Sequence, residues 1–220
     1  MKTIFLDDIK GEEREIIIPK SNAVDKLNDV YNEIDLDYID WEKYLTIIKD
    51  ELNNKIKPIL NKIDYNNDDL KSFIYSKCNL YKDEYPVLGY FTGILLETLT
   101  ERNKDNHFYI NGHGQRFDYL FYFTKYVDKL IIENFQGDFI GNYIGFKGEV
   151  NLLIMNNIHG DDIAQGMCNN GTFNTMFVTN SGDNVFFTYT GLKCKGNIFA
   201  AINNKIGWVD NGNFENSYMN

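Results

Sequence analysis

Asp138 and Asp161 stand 23 residues apart, Asp162 follows at once, and Asp183 falls one position short of the next 23-residue step. If the chain returns to the same place every 23 residues, Asp138 and Asp161 lie about 5 Å apart on adjacent rungs. Carboxylates at that spacing could hold Ca²⁺, or act as acid and nucleophile on a glycosidic bond. Three of the four are also preceded by glycine, in Gly137-Asp138, Gly160-Asp161 and Gly182-Asp183. An Asp after Gly closes a turn through its own side chain, and the recurrence favours that role.

Other reactive residues carry less. His113 and His159 share the 23-residue register two rungs apart, roughly 9–10 Å between backbones, too far for one zinc without further ligands. His107 falls in an apolar column and reads as a bonded residue of the end rung. Gly112-His113-Gly114 lacks the strand–loop–helix frame of a phosphate site. No nucleophile elbow, Ser-His-Asp set or Walker loop is present, so no catalytic residue, metal ligand or cofactor is expected. Tyr119, Tyr122, Tyr126, Tyr143 and Tyr189 could line a face that stacks sugars or a protein partner.

The element that positions these residues is a repeat. Asn111, Asn134, Asn157, Asn180 and Asn203 recur every 23 residues, and Asp105, Asp128, Asn151, Asn174 and Asn197 run six residues ahead of them. Apolar columns keep the same register: His107, Leu130, Leu153, Met176 and Phe199; Tyr109, Ile132, Met155, Val178 and Ala201; Phe117, Ile140, Ile163, Phe186 and Val209. Within a rung the apolar positions are two apart, the alternation of a strand. The stretches between are rich in Gly, Asn and Asp and suit tight turns. The pattern predicts a parallel β-solenoid of about five rungs over residues 105–220. Stacked Asn amides, which both donate and accept, would form a structural ladder along it.

The first half differs. Strands are expected at Thr3–Leu6 and Glu15–Ile18, a short helix after Ser21, and a longer one from Ile39 to Ile63 kinked or divided by Pro58. Further helices are expected from Asp68-Asp69 and from Pro86 to Leu99. Residues 1–104 thus read as short strands plus a helical cap that covers the open end of the stack. The apolar last helix is the best candidate there for binding a partner. The polar end, Asn211 to Asn220, either closes the stack or hangs free.

The stretch Leu130-Ile131-Ile132-Glu133-Asn134-Phe135-Gln136-Gly137-Asp138-Phe139-Ile140-Gly141-Asn142-Tyr143-Ile144-Gly145-Phe146-Lys147-Gly148 resembles a rung of the GXGXG β-helix family. That family includes the C-terminal domain of the large chain of glutamate synthase and a β-helical component of formylmethanofuran dehydrogenase. The next rung keeps Gly160-Asp161-Asp162-Ile163, Gly166-Met167 and Gly171. The third keeps Gly182-Asp183 and Gly191 but has Phe186-Phe187 where a glycine should stand. The resemblance covers about half the chain and implies a right-handed solenoid that supports an assembly, with no cofactor ligand carried over. The fold expected is therefore α+β: an N-terminal helical region, then a right-handed parallel β-solenoid.

Composition bounds the function. The chain has 220 residues, 43% hydrophobic and 15% aromatic, as a folded protein requires. Its formal charge of −10 argues against nucleic-acid binding and against docking on anionic membranes. Cys78, Cys168 and Cys194 are odd in number and show no CxxC spacing, which fits free thiols in a cytoplasmic protein. Acid arrives too early for a signal peptide, and no apolar run is long enough to span a bilayer. The expected function is a non-enzymatic scaffold that binds another protein. The alternative is a carbohydrate-binding or carbohydrate-cleaving β-helix using Asp138, Asp161 and Asp162. The order of any self-association is left open.

Overall fold

The fold, obtained as a computed structural model, describes residues 21–34, 45–80, 86–181, 185–187, 194–204, 206–209 and 217–219. Four helices come first: α1 (Asn22–Asn32), α2 (Leu45–Leu60), α3 (Asn67–Lys77) and α4 (Val87–Arg102). Eight strands follow: β1 (His107–Asn111), β2 (Tyr126–Glu133), β3 (Glu149–Asn156), β4 (Thr172–Thr179), β5 (Val185–Phe187), β6 (Lys195–Ile202), β7 (Ile206–Val209) and β8 (Ser217–Met219). The strands expected near Thr3 and Glu15 lie outside the described residues, as does the expected helix start at Ile39. No helix among the described residues is long and apolar enough to cross a membrane.

Local chemistry starts the helices. Ser21 Oγ accepts the Val24 N–H at 3.1 Å, and Asn66 forms a capping box with Asp69. Helix α2 continues past Pro58 to Leu60 without dividing there. Helix α4 is buried at every residue from Val87 to Leu99, as a helix without a polar face must be. It is core, and does not present the partner-binding surface expected of it.

Six strands stack in parallel in the order β1-β2-β3-β4-β6-β8, so part of the polar end does join the sheet through β8. The wall makes about four turns over residues 107–202, fewer than the five rungs expected. β2, β3, β4 and β6 hold the 23-residue register, with Leu130, Leu153, Met176 and Phe199 stacked at the core.

The first turn is out of step. β1 pairs with β2 at an offset of 22 residues (His107↔Lys129). Phe108 and Ile110 therefore take the core places expected for His107 and Tyr109, which are exposed. Farther on, Arg116 bridges Gln136, an offset of 20, whereas Gln136 bridges His159 at 23. Two differences cause this: the loop Asn111–Gln115 is two residues longer than its counterpart Glu133–Phe135, and the corner from Thr124 to Tyr126 is three residues shorter than that from Ile144 to Glu149, which restores the 23-residue register. Leu120, not Phe117, falls in line with Ile140 and Ile163, and all three are fully buried. His159 lines up with Arg116, so the expected His113–His159 column does not exist.

In the middle turns the second wall is no strand. It is a ribbon of overlapping turns in which Asn142, Ile144, Phe146 and Gly148 donate to the carbonyls of Phe139, Gly141, Tyr143 and Gly145. Every second residue (139, 141, 143, 145 and 147) has positive φ. The N–H groups of Phe139, Tyr143 and Lys147 donate to Asp161, Gln165 and Asn169 on one neighbouring rung; those of Gly141 and Gly145 donate to Leu120 and Thr124 on the other. The rungs are thus hydrogen-bonded on both sides without β geometry, which satisfies the buried backbone. Where Val185-Phe186-Phe187 replaces the glycine pattern, the ribbon gives way to β5, paired with β7. The β-branched Val185 resists positive φ, and no glycine remains at the place of Gly141, so the strand is favoured.

Helices α3 and α4 cover the free edge of the first rung. Asn67 Nδ2 and the Tyr75 hydroxyl donate to the carbonyls of His107 and Asn111, each at 2.9 Å. Asn79 exchanges two hydrogen bonds with the Arg116 backbone, at 2.8 and 2.9 Å. Thr92 Oγ1 accepts the Phe121 N–H at 3.2 Å, and the buried Glu97 carboxylate, paired with Lys49, accepts that of Lys125. Gly89 lets the helix approach this closely, since a Cβ there would lie 2.2 Å from the Tyr119 carbonyl oxygen.

Candidate functional site

The ribbon brings Asp118, Asp138 and Asp161 into one column. The Asp138 N–H donates to Asp118 Oδ1 at 2.8 Å, and the Asp161 N–H donates to Asp138 Oδ1 at 3.0 Å. Arg116 Nη2 holds Asp138 Oδ2 at 3.0 Å and Asp118 Oδ1 at 2.7 Å. Burial works against the Arg116 charge, but the two carboxylates outweigh it and raise its pKa. With 7% of its surface exposed and both oxygens engaged, Asp138 is a buried turn-closing residue. Asp118 was not expected in this column, because the 20-residue first turn hides it from a 23-residue search.

Asp161 is exposed, and Asp162 beside it sits at φ 53°. Burial, then the charges of Asp161 and Asp138, push the Asp162 carboxyl above its ordinary range. Asp183 lies outside the described residues. Among the described residues no group of three His, Cys, Asp or Glu side chains is placed to hold a metal ion.

The asparagine columns are ladders, with one break in the first and a foot at Asp128 in the second. Asn134 Nδ2 donates to Asn111 at 3.1 Å, Asn157 to Asn134 at 2.6 Å and Asn203 to Asn180 at 2.7 Å. Between them Asn180 turns to Asn156 at 3.0 Å, while His159 Nε2 takes Asn157 Oδ1 at 2.8 Å. Asn134, Asn157, Asn180 and Asn203 all sit at φ 51–55°. Asn tolerates this left-handed region better than other non-glycine residues, so the column has a backbone cause besides the ladder. In the second ladder Asn151 donates to Asp128, Asn174 to Asn151 and Asn197 to Asn174, at 2.8–3.2 Å. Its foot is Asp128: the 22-residue register sets Asn106, not Asp105, opposite it, but the Asn106 Nδ2 makes no hydrogen bond there.

Asp128 Oδ2 is buried without a partner at the edge of a cleft of about 440 Å³. The end of α4 (Glu101, Lys104) and the starts of β2 and β3 (Tyr126, Glu149, Asn151) line it. The expected tyrosine face is mostly internal. Tyr122 is buried, while Tyr119 stacks on Phe139 at 4.6 Å and Tyr143 on Phe123 at 4.3 Å, between adjacent rungs. Tyr126 is exposed, and Tyr189 lies outside the described residues.

The outward face of the sheet is a feature that the repeat columns missed. Ile131, Ile154 and Phe177 form one half-buried column; Leu152 and the exposed Ile198 stand in the column on one side with Thr175 between them, and the exposed Ile202 ends the column on the other side after Thr179. The signal was present in runs such as Leu130-Ile131-Ile132 and Leu152-Leu153-Ile154-Met155, where apolar residues fill both faces. A strand with one wet face alternates instead.

Compared with known proteins, the chain matches no family model, no curated protein and no solved structure.

Proposed function

We propose that the protein is a non-enzymatic interaction scaffold, an accessory part of a larger assembly, whose partner is another protein held on the outward face of the sheet. The observation that carries this reading is the in-register apolar strip Ile131–Ile154–Phe177 with Leu152, Ile198 and Ile202 beside it. Contiguous apolar surface on a folded chain marks a place where a partner excludes water. The acidic column supports the same reading. A glycan-cleaving pair needs free carboxylates in a groove beside aromatic rings, whereas Asp138 is bound to Arg116 and to the next rung. The resemblance to GXGXG rungs points the same way, because in that family the β-helix supports an assembly. Three free cysteines suit a cytoplasmic setting.

The test is affinity purification from the native host, comparing the wild type with an Ile154→Lys/Phe177→Lys variant. A stoichiometric protein should accompany the wild type and be lost from the variant, with the variant's circular dichroism unchanged. A wild type that arrives alone, or a variant that keeps its partner, overturns the reading. Loss of glycan binding or hydrolysis in a stable Asp161→Asn protein would replace it with the carbohydrate alternative.

A further inference from the structure

Cys168 and Cys194 are buried in the same core and their side chains interact, while Cys168 Sγ also lies 3.5 Å from Met176 Sδ and Cys194 Sγ lies 3.6 Å from the Lys195 carbonyl oxygen. They come from adjacent rungs. Thr172 pairs with Lys195 and the Lys195 N–H donates to the Gly171 carbonyl at 3.3 Å, so Cys194 enters β6 opposite Gly171. The Gly171 N–H in turn closes a turn onto the Cys168 carbonyl at 2.9 Å. Register and turn together set the two cysteines on adjacent rungs, with both side chains in the core between them.

We propose that Cys168 and Cys194 form a redox-modification site, in which hydrogen peroxide joins the two rungs through a disulfide. The roles differ. Burial, and then its hydrogen bond to Cys194, push the Cys168 thiol well up. Cys194 is lowered, because its thiolate accepts that hydrogen bond and this outweighs burial. Cys194 is therefore the attacking sulfur, since the thiolate is the nucleophile. Its sulfur attacks one peroxide oxygen, the O–O bond breaks, and the departing hydroxide takes a proton to leave as water. The Cys168 sulfur then attacks the Cys194 sulfenic acid, the S–O bond breaks, and a second water leaves with the Cys168 proton. Two thiols lose two hydrogens and one peroxide becomes two waters. Hydrogen peroxide is close to water in size, so it suits a site closed to larger oxidants.

Cys78 is the internal control. It is more exposed than either partner, but burial pushes its thiol up to about 12, so its thiolate is scarce. Exposure alone predicts that Cys78 oxidises first; the pair predicts that it stays reduced.

The experiment treats the purified full-length chain with hydrogen peroxide, blocks remaining thiols under denaturing conditions, and maps peptides by mass spectrometry. Titratable thiols should fall from three to one, with a Cys168–Cys194 cross-linked peptide and a raised Tm that dithiothreitol reverses. Cys168→Ser should stop at a sulfenic acid on Cys194 that dimedone traps, and Cys194→Ser should lose no thiol at the site. Three retained thiols, a disulfide through Cys78, or oxidation of Met176 with both thiols intact would overturn the proposal. If a serine variant fails to fold, the wild-type peptide map decides alone.

Discussion

The Asp138 carboxylate accepts the backbone N–H of Asp161, one rung along, at 3.0 Å, and the Asp118 carboxylate in turn accepts the backbone N–H of Asp138 at 2.8 Å. Asp138, first among the carboxylates that looked like catalysts, is a step of a ladder: it and Asp118 each hold the next rung's turn.

Asp138→Ala should therefore act on stability. It strips a partner from Arg116 and from the Asp161 N–H at a buried position. The expected cost is about 2–4 kcal/mol, read as a lower midpoint in chemical denaturation. An unchanged midpoint would make Asp138 a free functional carboxylate once more.

At Asn157 the ladder and the backbone can be separated. Asn157→Leu loses both the Asn134 contact and the ease of positive φ, and should cost about 2–4 kcal/mol. Asn157→Gly keeps the backbone conformation and should cost about 1–2 kcal/mol. Equal losses in the two variants would mean that backbone geometry contributes nothing to the column.

Lys147 is exposed at φ 50° in the ribbon. Lys147→Gly should stabilise the protein by about 0.5–1 kcal/mol, the left-handed penalty it removes exceeding the chain entropy it adds. A fall in Tm would show that the Lys147 contact with Phe146 outweighs the strain.

Asp162 supplies a pH dependence. Its folded-state pKa is raised, so the folded chain binds its proton more tightly than the unfolded chain does. The resulting stability is present below the unfolded value of about 3.9 and is lost as pH rises through the folded one. Asp162→Asn should then raise Tm at neutral pH, and the gain should shrink on acidification through the carboxylate range. A gain independent of pH would assign it to the preference of Asn for positive φ alone.

Glu97 joins α4, α2 and the first rung. It is 3% exposed, Lys49 is 6% exposed, and the carboxylate also holds the Lys125 N–H. Glu97→Ala should cost about 3–5 kcal/mol, because it leaves a buried ammonium unpaired. Lys49→Met combined with Glu97→Met should recover much of that loss; a double variant as unstable as Glu97→Ala would place the whole effect on the Lys125 N–H.

The repeat was legible because a parallel stack forces chemically similar residues into register. Leu130, Leu153, Met176 and Phe199 could be read as one core column from spacing alone. Asp118 could not. A longer Asn111–Gln115 loop and a shorter Thr124–Tyr126 corner displace the first turn, and a fixed period carries no information about local insertions and deletions. Their net difference of one residue put Phe108 where His107 was expected. The positive φ of Tyr119, Phe139 and Tyr143 was invisible for a different reason: aromatic residues seldom adopt it, so their presence argued for strands.

By itself the sequence determined the period, the strand faces, the Asn ladders and the helical segment ahead of the solenoid, because these follow from side-chain size and hydrogen-bonding capacity repeated along the chain. Tertiary structure alone decided that Asp138 is tied to Arg116, that α4 is core, and that Cys168 meets Cys194. Each is a contact between residues at different points of the repeat or outside it, set by which rung edge meets which neighbour, and no periodicity along the chain records such a meeting.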